Sequence, residues 1–195
     1  MKKEFYYNNR KNVLDYIKMA TPYDGKLLIR QLEKILPEGA SILELGMGPG
    51  KDMDILSKKY IVTGSDLSRE FIRIYKIKNP KADLHVLDAH TIEINRRFDC
   101  IFSNKVLHHL STTELTESLI RQNELLNPHG LVAHSFWEGD REEILSGLRF
   151  VYYRKQYLEY LFSRTFKIIS SKIYSEVFPD DSFFILAQKS SSQTV

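Results

Sequence analysis

Ser41-Ile42-Leu43-Glu44-Leu45-Gly46-Met47-Gly48-Pro49-Gly50-Lys51-Asp52 is the stretch that decides the reading of this chain. A short apolar strand runs into three glycines on alternate positions, and a helical pattern follows. In an α/β sheet such a turn bares backbone to a nucleoside-like ligand, because glycine permits both the tight turn and the close approach. What is missing is equally informative. A dinucleotide fingerprint wants a third glycine three positions after the second, where helix and strand pack closely, and that place is Lys51. A phosphate loop also fails, since no Gly-Lys-Ser/Thr follows at the required distance.

Outward from this stretch, strand-like and helix-like segments alternate, which predicts a parallel sheet with helices on both faces. Strands are expected over Ser41–Leu45, Tyr60–Ser65, Asp83–Leu87, Phe98–Ser103 and Gly130–Phe136. The runs Ile42-Leu43 and Ile101-Phe102 show little polar alternation, as strands covered on both sides do. Helices are expected over Lys51–Lys59, from a Ser68 cap through Tyr75, and from Ser111, where Ser111-Thr112-Thr113-Glu114 has capping-box spacing. Asn127-Pro128-His129-Gly130 stops that helix and turns the chain into the fifth strand. Ahead of the sheet, Lys26–Leu36 is helical by spacing, preceded by the aromatic, polar segment Phe5–Tyr16. Behind it, Tyr153–Phe162 reads as a helix. Phe166–Tyr174 and Ser182–Gln188 read as a strand pair across Phe178-Pro179-Asp180-Asp181.

Length and composition bound the function. A chain of 195 residues suits one domain with a full core. Its net charge of +3 gives little support for a nucleic-acid partner. The excess of Arg and Lys in 141–172 is that of a solvated face. Cys100 is the single cysteine, so an intramolecular disulfide and a Cys-based zinc cluster are excluded, and its apolar strand predicts a buried thiol. His85, His90 and the pair at 108 and 109 have no metal-ligand spacing, so no metal is expected. Met1-Lys2-Lys3-Glu4-Phe5 lacks the apolar core of a signal peptide, and no segment is apolar enough to span a bilayer. A cytoplasmic protein without a membrane partner is expected, its oligomeric state left open between monomer and homodimer.

Ligands of a doubly wound sheet bind beyond the carboxyl ends of the strands. The first strand ends in Glu44 and the glycine loop. The second ends in Gly64-Ser65-Asp66-Leu67, with Asp66 about twenty residues after the first glycine, where an acid takes ribose hydroxyls. The third ends in Leu87-Asp88-Ala89-His90, where Asp88 suits an exocyclic adenine amine and Ala89 offers its N–H. The fourth ends in Ser103-Asn104-Lys105. Taken singly, an aspartate after a strand is often only a turn or helix cap. Three polar ends in register with a glycine loop form an adenosine site without a phosphate device, which suggests S-adenosylmethionine.

These residues resemble a class I S-adenosylmethionine-dependent methyltransferase of the kind that acts on small molecules. Glu44-Leu45-Gly46-Met47-Gly48-Pro49-Gly50 is similar to that family's first motif, Gly64-Ser65-Asp66-Leu67-Ser68 to its second and Leu87-Asp88-Ala89 to its third. Val106-Leu107-His108-His109-Leu110 resembles the stretch after the fourth strand, and Leu126-Asn127-Pro128-His129-Gly130-Leu131 the turn before the fifth. Phe150-Val151-Tyr152-Tyr153 and the terminal 181–189 resemble the closing region of these enzymes. The resemblance implies a Rossmann-like, seven-stranded, mostly parallel sheet with helices on both faces and the last strand antiparallel. It implies one domain over 1–195, with 1–36 as a helical lid, 37–189 as the core and 190–195 as a fraying tail. By position, the Gly46, Gly48 and Gly50 loop would lie against the methionine part of the cofactor, Asp66 at the ribose, Asp88 and Ala89 at the adenine and Asn104 near the methionine, with Glu44 and Leu67 as further cofactor-binding residues. Two departures stand out. Met47 occupies a place often held by a small residue and needs only to pack, and His129 replaces a glycine, leaving Gly130 to take the positive φ.

The implied reaction is direct displacement, in which S-adenosylmethionine becomes S-adenosylhomocysteine. Alignment matters most, and a general base is needed only if the acceptor keeps its proton. His108 and His109 are the candidates for base or acceptor contact, with room for only one of two adjacent side chains to face the ligand. The plainer reading has one capping the following helix and the other packing. Tyr7, Tyr16, Trp137 and Tyr152 are candidate acceptor contacts, or else ordinary lid and core packing. Ser103-Asn104-Lys105-Val106 lacks the pattern used on exocyclic amines of nucleic-acid bases, and Cys100 sits inside a strand, so a small-molecule acceptor is favoured. A protein side chain as acceptor, a catalytically silent partner-binding domain and a nicotinamide oxidoreductase are the alternatives. The last is opposed by Lys51 and by the absence of a hydride-transfer pair.

Overall fold

The computed structural model describes residues 6–145 and 147–190. The expectations for Met1 to Phe5 and for 191–195 lie outside them. Paired apolar residues along the strands decide the layering. Successive side chains of a strand face opposite ways, so Ile42-Leu43, Ile101-Phe102, Val132-Ala133 and Phe183-Phe184 each feed both sides of the sheet. Leu43, Ile101, Val132 and Phe183 join the core on one face, while Ile42, Phe102, Ala133 and Phe184 join that on the other. Both faces therefore need cover, at about 1.5–3 kcal/mol for each large apolar side chain buried. Helices α2 (Lys26–Leu32), α3 (Lys51–Leu56) and α4 (Arg69–Lys78) cover one face through Leu28, Leu32, Leu56 and Tyr75. Helices α5 (Thr112–Leu125) and α6 (Lys155–Ser163) cover the other through Leu115, Leu119, Leu158 and Phe162.

The strands are β1 (Ser41–Leu45), β2 (Ile61–Asp66), β3 (Asp83–Val86), β4 (Phe98–Asn104), β5 (Leu126–Trp137), β6 (Glu142–Leu145), β7 (Leu148–Val151), β8 (Phe166–Tyr174) and β9 (Ser182–Lys189). Seven of them form one sheet in the order β3-β2-β1-β4-β5-β9-β8, in which β9 runs antiparallel to both neighbours and the rest are parallel. This is the expected Rossmann-like sheet with its last strand reversed. The order turns back between β1 and β4, and that switch point opens a crevice beyond their carboxyl ends.

Local chemistry sets the ends of the elements. Ser68 caps α4 by accepting from the Phe71 N–H, and Ser111 with Glu114 forms the expected capping box on α5. Helix α1 (Arg10–Met19) is capped by Asn9 and follows a short 3-10 turn, Tyr6–Asn8. Several boundaries differ from expectation. Helix α3 stops at Leu56, α2 at Leu32, and α6 begins at Lys155. Strand β5 starts earlier, at Leu126, because Phe98 pairs with Leu126 and Cys100 with Leu131, leaving 127–130 bulged opposite Asp99. The Asp99 carboxylate anchors that bulge, accepting from Asn127 Nδ2 at 2.7 Å and from the Ser41 N–H at 2.8 Å. Within the bulge it is His129, at φ 63°, and not Gly130, that takes the left-handed conformation. Gly130 instead relieves crowding, since a Cβ there would lie 3.0 Å from the Asn127 carbonyl oxygen. The hairpin β6–β7 is an addition that the sequence reading did not contain.

Candidate functional site

The loop after β1 is left-handed at Gly46, Gly48 and Gly50, with φ of 65°, 50° and 83°. Close packing enforces two of these glycines. A Cβ on Gly46 would sit 2.5 Å from both Val106 methyls, and one on Gly50 2.2 Å from the Tyr75 ring. Gly48 differs, because the nearest atom to a Cβ there is Tyr16 Cε1 at 3.9 Å. A Cβ there would meet only ordinary contact, so the left-handed φ and not crowding calls for glycine. The loop is tied to β2, since the Met47 N–H donates to the Ser65 carbonyl at 2.8 Å and the Gly48 N–H to Asp66 Oδ2 at 2.9 Å. Asp66 also accepts from the Ser68 N–H at 2.7 Å. Burial pushes its carboxyl up to about 6, although those two N–H groups pull the other way.

Two neighbouring cavities open over these strand ends. The smaller, about 150 Å³, is lined by Asp66, Leu67, Phe71, Asp88 and Ala89, under Tyr7 and Tyr16. The two tyrosines pack edge-on with centroids 5.2 Å apart, and each lies 5.6 Å from Phe71, so the leading segment lies across this cavity. Burial pushes the Tyr16 phenol up to about 12. Asp88 Oδ1 accepts from the His90 N–H at 2.8 Å, which shapes the turn. The Ala89 carbonyl accepts from Ser118 Oγ at 2.6 Å. Behind it runs a fully buried chain. Ser118 Oγ accepts from Gln122 Nε2 at 3.1 Å, Gln122 Oε1 accepts from His134 Nε2 at 2.8 Å, and His134 Nδ1 accepts from Ser103 Oγ at 2.8 Å. An amide oxygen can only accept, so the tautomer of His134 is fixed. Burial holds its pKa down to about 3, so it stays neutral.

The larger cavity, about 300 Å³, shares Tyr7, Tyr16, Gly46, Gly48, Asn104, Lys105 and His109 with the smaller. It adds Glu44, Asp52, His108, Trp137, Phe150 and Glu176. Glu44 is buried with Oε2 unpartnered, and burial, reinforced by Asp52 and Asp66, holds its carboxyl well above the usual range. Burial likewise raises Asp52, though the Gly25 N–H at 2.6 Å and Asn104 Nδ2 at 2.9 Å donate to it. Asn104 in turn accepts from Ser135 Oγ at 2.5 Å, so its side chain is locked at the end of β4.

Lys105 is left-handed at φ 55°, an unusual conformation for a long side chain. Its Nζ donates to Ser182 Oγ at 2.6 Å and pairs with Glu176 Oε2 at 3.0 Å, 3.6 Å above the Trp137 ring. Burial brings its ammonium down to about 8, opposed by Glu176. His108 and His109 occupy a 3-10 turn, Leu107–His109, with ring centroids 4.1 Å apart. His108 is 2% exposed, stacks on Phe150, and has no partner for either ring nitrogen. His109 Nδ1 donates to the Arg149 carbonyl at 2.6 Å, which leaves Nε2 as the unprotonated nitrogen. Burial lowers both imidazoles, His108 strongly.

Most of the sequence-derived residues thus meet. Glu44, Gly46, Gly48, Asp66, Leu67, Asp88, Ala89, Asn104, Tyr7, Tyr16, Trp137, His108 and His109 all line one or both cavities. Two do not. Gly50 lines neither and serves to pack Tyr75 against the loop. Tyr152 turns to the hairpin, its hydroxyl donating to Glu143 at 2.6 Å and its ring lying under Arg141. The 3-10 turn places both adjacent histidines along the larger cavity, but His108 is 2% exposed and packs on Phe150 with its ring nitrogens buried. Asp52, Lys105 and Glu176 were missed. Lys105 directly follows Asn104, which was a usable signal; Glu176 arrives from the loop after β8, and nothing nearby in sequence marks it.

Comparison with known proteins bears on this geometry. A methyltransferase domain family matches residues 42–130, from β1 to the bulge of β5. That stretch is similar to the methyltransferase domain family and holds the glycine loop, Asp66, Asp88 and Asn104. The chain is 31% identical over 105 residues to the dTDP-3-amino-3,6-dideoxy-alpha-D-glucopyranose N,N-dimethyltransferase of Streptomyces fradiae, covering 52% of the chain and 41% of that protein. It therefore spans less than half the length of the curated relatives it matches. Its fold is that of an S-adenosylmethionine-dependent methyltransferase of Clostridium acetobutylicum (TM-score 0.75, 14% identity, 94% of this chain and 100% of that one). It is also that of the Burkholderia thailandensis 1,6-didemethyltoxoflavin-N1-methyltransferase, solved with its acceptor and S-adenosylhomocysteine (TM-score 0.71, 20% identity, 85% and 76%).

Proposed function

We propose that this chain is an S-adenosylmethionine-dependent methyltransferase acting on a small molecule. The observation that carries it is the pair of joined cavities, one walled by Asp66, Asp88 and Ala89, the other by Glu44 and two neutral histidines. The residues suit the cofactor. Glu44 Oε2, buried and unpartnered, suits an ammonium group, and the side-chain-free Gly48 in the cavity wall suits close approach. Asp66 keeps lone pairs for ribose hydroxyls beyond those used by Gly48 and Ser68, and Asp88 and Ala89 suit an adenine edge. When bound, S-adenosylmethionine supplies a methyl group on a positively charged sulfur, an electrophile that needs no metal.

The rest is the work of the protein. Tyr7 and Tyr16 cover the adenosine end and exclude water. Asn104, locked between Asp52 and Ser135, lines both cavities and positions what lies between them. His109 Nε2 accepts the acceptor's proton, since Nδ1–H is already committed to Arg149. His108 beside it supplies a second uncharged polar wall, with Trp137 and Phe150 closing the apolar sides. Both the Streptomyces relative and the Burkholderia enzyme are named for methylation of small molecules, which supports the same class of acceptor here.

Calorimetric titration tests the reading. S-adenosylmethionine and S-adenosylhomocysteine are expected to bind, and NAD is not. Binding of NAD alone would overturn it. A screen of cell metabolites for new methylated products then identifies the acceptor.

A further inference from the structure

The charged groups of the larger cavity can be accounted for one by one, and the remainder says what enters. Four carboxylates and two lysines line it: Asp24, Glu44, Asp52, Glu176, Lys51 and Lys105. Both lysines are committed. Lys51 Nζ donates to the carbonyls of Thr21 at 2.5 Å and Tyr23 at 2.7 Å. Lys105 Nζ is held by Ser182, Glu176 and the Trp137 face. Asp24 is paired with Lys26 at 2.7 Å, and Asp52 accepts from Gly25 and Asn104. Three carboxylate oxygens remain without a hydrogen bond from the described residues, both of Glu44 and Glu176 Oε1. Glu44 belongs to the cofactor end on the reading above. Glu176 is left for the acceptor.

Glu176 is also held in place before anything binds. The Asp181 carboxylate accepts from the backbone N–H groups of Glu176, Val177 and Phe178 at 2.9, 2.9 and 2.8 Å, which fixes the loop after β8. Tyr174 and Ser182 donate to Oε2 at 3.3 and 3.4 Å, beside Lys105. Such support is what a recognition residue needs, because the ligand then pays no ordering cost. The same cavity contains the orphaned His108, 2% exposed, and His109 with Nε2 unprotonated. Its unoccupied hydrogen-bonding atoms are therefore carboxylate oxygens, and its spare base is neutral. An anionic acceptor would meet carboxylates with no free cation to receive it.

We propose that Glu176 is the acceptor-recognition residue of this enzyme and that the acceptor is a primary or secondary amine, held as an ammonium by Glu176 Oε1. One N–H proton of the ammonium passes to His109 Nε2, which becomes an imidazolium and leaves the amine lone pair free. Lys105, a second positive charge beyond Glu176, weakens the ammonium's hold on that proton, as like charges do. The inference rests on the methyltransferase reading.

The test uses the whole chain saturated with S-adenosylhomocysteine and three probes of one shape: benzylamine, benzyl alcohol and benzoate. Binding is read by calorimetry or ligand-observed NMR. Benzylamine is expected to bind at least about tenfold more tightly than benzyl alcohol, with benzoate weakest. Glu176→Gln should reduce benzylamine to the level of benzyl alcohol while leaving affinity for S-adenosylhomocysteine within a few-fold. Glu176→Asp, which keeps the charge, should restore part of the preference and so separates recognition from loss of folding. Benzoate or benzyl alcohol binding as tightly as benzylamine would overturn the inference. So would binding of none of the three, or an amine preference that survives in Glu176→Gln. If S-adenosylhomocysteine itself fails to bind the wild type, it is the methyltransferase reading that falls, and this one with it.

Discussion

Asp66 stores a cost that the site imposes on the fold, and the sign of that cost can be measured. Moving a carboxyl from its ordinary 3.8 to about 6 by burial corresponds to about 3 kcal/mol against the ionised form. The folded protein holds this proton more tightly than the unfolded chain. The associated stability is therefore complete below the unfolded value and is lost as pH rises through about 6. Between about pH 5 and about pH 8 the wild type should lose about 1.4 kcal/mol through this one group. Asp66→Asn cannot ionise and should show no such loss. It carries instead a pH-independent cost of about 1–3 kcal/mol, because the amide NH₂ must face the N–H of Gly48 or Ser68, which both donate to the native carboxylate. The assay is urea unfolding of both proteins without cofactor at the two pH values. His108, His109 and His134 titrate with the opposite sign, since burial lowers all three and acid destabilises them, but they do so equally in both proteins. Only the difference between the two curves carries the test. Parallel curves, or a wild type that gains on the variant as pH rises, would refute the reasoning. The same variant should bind S-adenosylhomocysteine more weakly by about 1–3 kcal/mol, having lost an acceptor for ribose hydroxyls.

Further outcomes follow from single contacts. Gly50→Ala should cost about 2–4 kcal/mol or prevent folding, as its Cβ meets the Tyr75 ring at 2.2 Å; thermal melts of Gly50→Ala with and without Tyr75→Ala should show partial relief only, because the left-handed φ of 83° persists. His109→Ala should slow turnover of the screened acceptor about 10²–10⁴-fold with little change in calorimetric cofactor affinity. Because burial lowers His109, the acid limb of the wild-type rate should fall below the ordinary histidine pKa of about 6.5, and a midpoint above it would exclude His109 as the base. Gln122→Leu should destabilise the protein by about 1–3 kcal/mol in denaturant titrations, since it strands the buried His134 Nε2–H.

The cofactor end was legible from sequence because each of its groups is local to one strand end. Asp66 stands at the end of β2 and Asp88 two residues beyond β3, while Gly46 and Gly48 follow β1 directly, and parallel pairing brings all these ends to one edge without further information. The acceptor end is built differently. Lys105 just past β4, Trp137 from β5 and Glu176 from the loop after β8 meet only because β9 inserts between β5 and β8, bringing Ser182 opposite Trp137 in register and opposite Tyr174 on its other side. That insertion is a property of the whole sheet order, and no short motif encodes it. Tyr152 shows the same limit from the other direction, since its place was inferred from the resemblance of Phe150-Val151-Tyr152-Tyr153 to a closing region, while an unforeseen hairpin carried its hydroxyl to Glu143. The buried chain Ser103–His134–Gln122–Ser118 went unread for a related reason: its members lie on two strands and a helix, each ordinary alone. It ends on the Ala89 carbonyl, so the core of the sheet and the adenine loop share one set of hydrogen bonds. On the proposed reading, the residues assigned to the cofactor are written in consecutive strand ends, whereas those assigned to the acceptor meet through contacts across the late strands.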